Sequence, residues 1–100
     1  MIYGNTVKID DEDFEIVAQA GEYGYDWNIA ALLKSPGGGL FYAHASGCSC
    51  TSFTEKVTSR GDLRPVFEWQ EALEMARRQE HFDTSHLITF AERLRAGAGG

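Results

Sequence analysis

Cysteine is scarce in this chain of 100 residues, with only Cys48 and Cys50, one residue apart. A disulfide framework needs several cysteines far apart, so that each bridge closes a long loop, and that pattern is missing. In an extended segment the two Cα atoms would lie ~6.7 Å apart, at the outer limit a bridge tolerates, so free thiols in a reducing compartment are expected. Long hydrophobic runs are also missing, and nothing approaches the roughly eighteen apolar residues that span a membrane. The first residues, Met1 to Asn5, carry neither the basic start nor the apolar stretch of a secretory signal. The expected location is the cytoplasm, with no membrane partner.

Basic residues are nearly absent from positions 1 to 30. Lys8 alone faces seven acids, Asp10, Asp11, Glu12, Asp13, Glu15, Glu22 and Asp26, which matches the whole net charge of −6. Phosphate backbones are held by lysines and arginines that displace counterions, so no nucleic-acid partner is expected. The aromatic run Tyr23, Tyr25 and Trp27 lacks the interleaved cations of a single-strand stacking surface. An acidic first third does permit a basic protein partner.

Catalytic motifs are missing too. There is no Cys-x-x-Cys of a thioredoxin-like site, and Ser35-Pro36-Gly37-Gly38-Gly39 has no lysine with which to form a phosphate loop. Arg60-Gly61-Asp62 spells the integrin-binding tripeptide, but three residues recur by chance. No catalytic residue is assigned.

What is present is the patterning of an α+β domain. Phe14, Ile16, Ala18 and Ala20 alternate with Glu15, Val17 and Gln19, which predicts a strand with the first set on one face, after a turn at Asp10 to Asp13. Residues 25–34 predict a second strand with Trp27, Ile29, Ala31 and Leu33 on one face. Its other face, Asn28, Ala30, Leu32 and Lys34, is only partly polar, so this strand is central and covered on both sides. The breaker at 35–39 makes a hairpin with residues 40–46. Gly47 ends that arm, and a polar loop runs from the cysteines to about Arg64, long enough to be functional or to contain a short element. A helical period begins at Pro65, and Asp83-Thr84-Ser85 caps a second helix over about 86–96. The expected architecture is a small antiparallel sheet of three to four strands followed by two C-terminal helices packed on it, as one domain over 1–96. Gly97 ends the last helix, and residues 97–100 form a disordered Gly/Ala tail.

His44, Cys48 and Cys50 have equal parity, so a continuing strand points them to one side as candidate metal ligands. His44 and Cys48 would still lie ~13 Å apart, and a shared zinc requires the chain to fold back at Gly47, with His81, His86 or water as fourth ligand. A zinc-stabilised domain is thus one alternative, and a thiol-based enzyme or redox protein is another. For protein binding the candidates are the acidic Asp11, Glu12 and Asp13, and Tyr23 and Tyr25 as exposed aromatics.

The segments Tyr25-Asp26-Trp27, Ser46-Gly47-Cys48-Ser49-Cys50, Asp62-Leu63-Arg64-Pro65-Val66 and Glu71-Ala72-Leu73 resemble a group of small uncharacterised proteins encoded by actinobacterial phages. The resemblance covers about residues 12–76 and rests mainly on the Gly-Cys-Ser-Cys motif. It implies a phage accessory protein in the host cytoplasm, without a known activity. Such proteins act by occupying a host or phage protein, so the leading expectation is a non-enzymatic protein-binding module.

Overall fold

Five strands follow one another as a meander, each antiparallel to the last: β1 Thr6–Ile9, β2 Glu12–Glu22, β3 Asp26–Lys34, β4 Leu40–Cys48 and β5 Arg64–Val66. The computed structural model describes residues 6–22, 25–48, 50–79 and 82–98. Two of the connections are tight. Asp10 and Asp11 form a two-residue turn with φ of 51° and 62° between Ile9 and Glu12, which are paired across it. Aspartate tolerates this left-handed region better than most side chains, and such turns match the twist of a hairpin. The expected turn over Asp10 to Asp13 is therefore shorter than read: Glu12 and Asp13 already belong to β2, and Asp13 faces Lys8 across the strands. Between β3 and β4, Ser35 N–H donates to Gly39 O, and its hydroxyl accepts from Gly39 N–H at 3.0 Å, closing the predicted hairpin.

The central strand is buried on both faces. From Trp27 to Leu33 every residue is buried, so each face of the sheet needs its own cover. On one face Trp27, Ile29, Ala31 and Leu33 join Val7, Ile9, Phe14, Ala43 and Ala45, capped by Phe53, Val57 and Leu63. On the other, Ala30, Leu32 and Tyr42 pack with Ala18 and Ala20 beneath Ala72, Ala76, Phe90 and Leu94. The first cover comes from the expected polar loop, which contains a single helical turn, α1 (Phe53–Lys56), and a 3₁₀ turn, Arg60–Asp62. The second comes from the helices α2 (Trp69–Arg77) and α3 (Thr84–Ala98).

Three readings are corrected. The alternation through β2 does not hold a single face, because the register slips between Ile16 and Ala18. A bulge there adds one residue, so Phe14 and Ile16 lie on the α1 face while Ala18 and Ala20 lie on the α2–α3 face. Pro65 does not open a helix. It sits in β5 opposite Phe41, on an edge strand where a missing N–H leaves no ladder bond unmade, and α2 begins four residues later. Last, α3 passes through Gly97 to Ala98. Gly97 lies against β2 so closely that a Cβ would sit 2.7 Å from Val17 O, so here glycine serves close packing inside the helix and not termination.

Short elements are started by carboxylates that reach back to the chain ahead of them. Glu55 accepts from Ser52 N–H at 3.3 Å, Asp62 from Thr58 and Ser59 N–H at 3.1 and 3.2 Å, and Glu71 from Phe67 and Glu68 N–H. Asp83 does the same work at the start of α3 as predicted, accepting from His86 N–H at 3.0 Å. Each satisfies backbone donors that the first turn leaves without partners.

One buried group is not satisfied. The Tyr42 hydroxyl lies under α2 with no hydrogen-bond partner among the described residues, and burial pushes its ionisation far up. An unpaired buried hydroxyl carries a desolvation penalty that a phenyl ring does not. Tyr42→Phe is expected to raise stability by about 1 kcal/mol in urea denaturation; a loss of that size would show that the hydroxyl has a partner.

Candidate functional site

The end of the sheet where β3 begins and β4 finishes carries the cysteines. Asp26 pairs with Cys48 and Trp27 with Gly47. Beyond Cys48 the chain turns back, and Thr51 N–H donates to Cys48 O at 3.1 Å. The Trp27 indole N–H reaches both Cys48 O (2.8 Å) and Thr51 O (3.0 Å), pinning the turn on either side of Cys50. Glycine at 47 makes room for this: a Cβ there would meet Thr51 Oγ1 at 2.5 Å and the Trp27 ring at 3.1 Å.

The turn brings the Cα atoms of Cys48 and Cys50 to 5.3 Å, and the two form a disulfide. The expectation of free thiols is thus corrected. A straight strand would hold the pair too far apart, but the turn after β4 shortens the span to one that a bridge accepts. Cys48 is half-buried and Cys50 is exposed.

His44 lies elsewhere. It precedes Cys48 by four residues on the same strand, opposite Ala30, and its Nε2 bonds to Asn28 Oδ1. Its ring stands edge-on to Phe82 at 5.6 Å, and Phe82 in turn meets His86 at 5.4 Å. The structure therefore does not gather His44 with the sulfurs, and the sulfurs are joined to each other. Among the described residues no group of three or more His, Cys, Asp or Glu could hold a metal ion. His81 lies outside the described residues.

The acidic candidates divide. Asp11 and Asp13 are exposed. Glu12 instead pairs with Arg60 at 2.8 Å, and Asp10 accepts from Arg60 N–H at 2.7 Å and donates its own N–H to Thr58 O. The Arg60 guanidinium also lies 5.3 Å and 5.5 Å from the rings of Phe14 and Phe41. With Asp62 capping its own turn, both charged side chains of Arg60-Gly61-Asp62 are engaged within the chain. Half of the acidic run is a clasp that holds the 50–63 segment on the sheet. The sequence reading allows a short element in this loop without placing it, although Ser52-x-x-Glu55 and Ser59-x-x-Asp62 carry the spacing of helix starts.

Tyr25 is 81% exposed and stands immediately before β3, next to exposed Asp26. Tyr23, the other aromatic candidate, lies outside the described residues. Phe67, 92% exposed, and Ile88 are the other large apolar side chains in solvent among the described residues. No helix among the described residues is long and apolar enough to cross a membrane.

Residues 3–97 match the model of a family described as a domain of unknown function (DUF7574). No curated protein and no solved structure matches the chain.

The clasp and caps set an acid dependence. The hydrogen bond from Arg60 holds the Glu12 carboxyl below its ordinary value. Backbone N–H donors from Thr58 and Ser59 do the same for Asp62, and His86 N–H, then Ser85, for Asp83. A carboxylate lowered in the folded state contributes stability above its unfolded pKa near 4 and loses it as pH falls through the folded value. The melting midpoint is expected to fall as pH drops from about 5 towards 2, with a shallower fall in Glu12→Gln and Asp62→Asn. An unchanged slope in both variants would contradict the assignment.

Proposed function

The chain belongs to the DUF7574 family, and on that premise we propose that it is a non-enzymatic protein-binding module whose contact surface is the sheet end around Tyr25. The observation that carries this reading is Tyr25 itself, 81% exposed and immediately before β3. The residues following it enter the doubly buried β3, and Trp27 ties that strand end to the turn opposite. A large amphipathic ring is the type of side chain that dominates protein interfaces. Asp26 beside it carries a negative charge that suits a basic partner, and Asp11, on the β1–β2 turn, and Asp13, at the start of β2, add to the negative field from the opposite end of that strand. The resemblance to phage accessory proteins supports a host or phage protein as that partner.

The test is affinity capture from a bacterial lysate with the immobilised protein, followed by direct binding measurements on the captured partner. Tyr25→Ala is expected to weaken binding by at least about tenfold, the size of a moderate hot spot. Asp11→Asn with Asp13→Asn is expected to slow association and reduce its salt dependence. Glu12 is left intact because it holds Arg60. Equal affinity of the Tyr25→Ala protein would place the contact surface elsewhere, and no saturable partner would remove the reading.

A further inference from the structure

The bridge between Cys48 and Cys50 encloses a single residue, and this is a poor way to stabilise a fold. A cross-link acts largely by restricting the unfolded chain, and its effect shrinks with the loop it closes. The turn is moreover held without the sulfurs. Trp27 bonds both Cys48 O and Thr51 O, Thr51 N–H bonds Cys48 O, and the β3–β4 ladder runs to the Asp26–Cys48 pair. The bond is therefore spare to the fold, and one of its residues, Cys50, is exposed at the surface.

We propose that Cys48 and Cys50 form a reversible dithiol–disulfide exchange site whose co-substrate is a dithiol. A thiolate of the co-substrate attacks Sγ of Cys50, the more exposed cysteine, forming a mixed disulfide as the Cys48–Cys50 bond breaks. Cys48 leaves as a thiolate and takes a proton from water. The second thiolate of the co-substrate then attacks its own sulfur in the mixed disulfide and releases Cys50 as a thiolate. The co-substrate is thereby oxidised to its disulfide, and two electrons reside on the Cys48–Cys50 pair. The reverse sequence reoxidises the site when a disulfide is supplied.

The Trp27 bonds give this cycle its reversibility. With the sulfur bond open, the backbone on both sides of Cys50 stays pinned, so the two thiols remain neighbours across the turn and close again as an intramolecular step. Asp26, directly opposite Cys48, adds a selective element: its charge disfavours an anionic thiol approaching the turn. A neutral dithiol should therefore react faster than glutathione.

The test is equilibration of the native protein in graded buffers of dithiothreitol and of glutathione, each with its oxidised form. Acid quenching, alkylation and mass measurement then count the free thiols. The expected result is full interconversion in dithiothreitol buffers without denaturant, an unchanged circular dichroism spectrum, and a tryptophan fluorescence change that follows the thiol count. Cys48→Ser should accumulate a mixed disulfide with glutathione at Cys50 about tenfold faster than Cys50→Ser does at Cys48. Asp26→Asn should raise the rate with glutathione, whose attacking form carries the larger negative charge, more than the rate with dithiothreitol. A bridge reduced only after unfolding, or a reduced protein that does not close again in oxidising buffer, would overturn the proposal. Cys48 reacting as fast as Cys50 would overturn the assignment of the attacked sulfur. These measurements involve no protein partner, so their failure leaves the binding reading standing, and the loss of binding leaves this one standing.

Discussion

The burial of β3 on both faces is the constraint from which the rest of the structure follows. A strand that hides Trp27, Ile29, Ala31 and Leu33 on one side and Ala30 and Leu32 on the other cannot rest on a single layer. Among the described residues two segments serve as cover, the stretch between β4 and β5 and the C-terminal helices. Ala18, Ala20 and Ala30 meet Ala72 and Ala76, allowing helices to approach, while Phe14 and Phe53 fill the wider space beneath a cover made of single turns.

Much of this was legible in the sequence where alternation runs without interruption. Both faces of β3 read correctly from parity, and the predicted demand for a cover on each side of it is met. In β2 the same rule fails, because the bulge after Ile16 changes faces without any glycine or proline to mark it. Val66, Trp69, Leu73 and Ala76 fit one helical period, which is why a helix reads from Pro65; the last three do lie in α2, while Val66 reaches the same core from an edge strand. Residues from the cysteines to about Arg64 read as a polar loop in which a short element is allowed but not placed. Their polar residues are instead mostly caps and clasps around three buried anchors, Phe53, Val57 and Leu63.

The cysteine turn was located correctly and its chemistry misjudged for one reason. Strand spacing separates Cys48 from Cys50 too widely for an easy bridge, and the reading had no means of seeing that Trp27 folds the chain back after Cys48. That indole is the link between fold and surface: its ring belongs to the core and its N–H fixes the turn that displays the disulfide. Tyr25 and Asp26 lie on the same strand end, so the proposed binding surface and the proposed exchange site share a support.

Native-state hydrogen exchange tests the central claim most directly, since an amide in a strand covered on both faces is released only when the whole domain opens. The account predicts that the amides of Ile29 to Leu33 exchange at the free energy of global unfolding, and that destabilising the α1 cover by Phe53→Ala lowers their protection as much as it lowers global stability. Exchange of these amides through a local opening, at the rate of the edge strands β1 and β5, would contradict it.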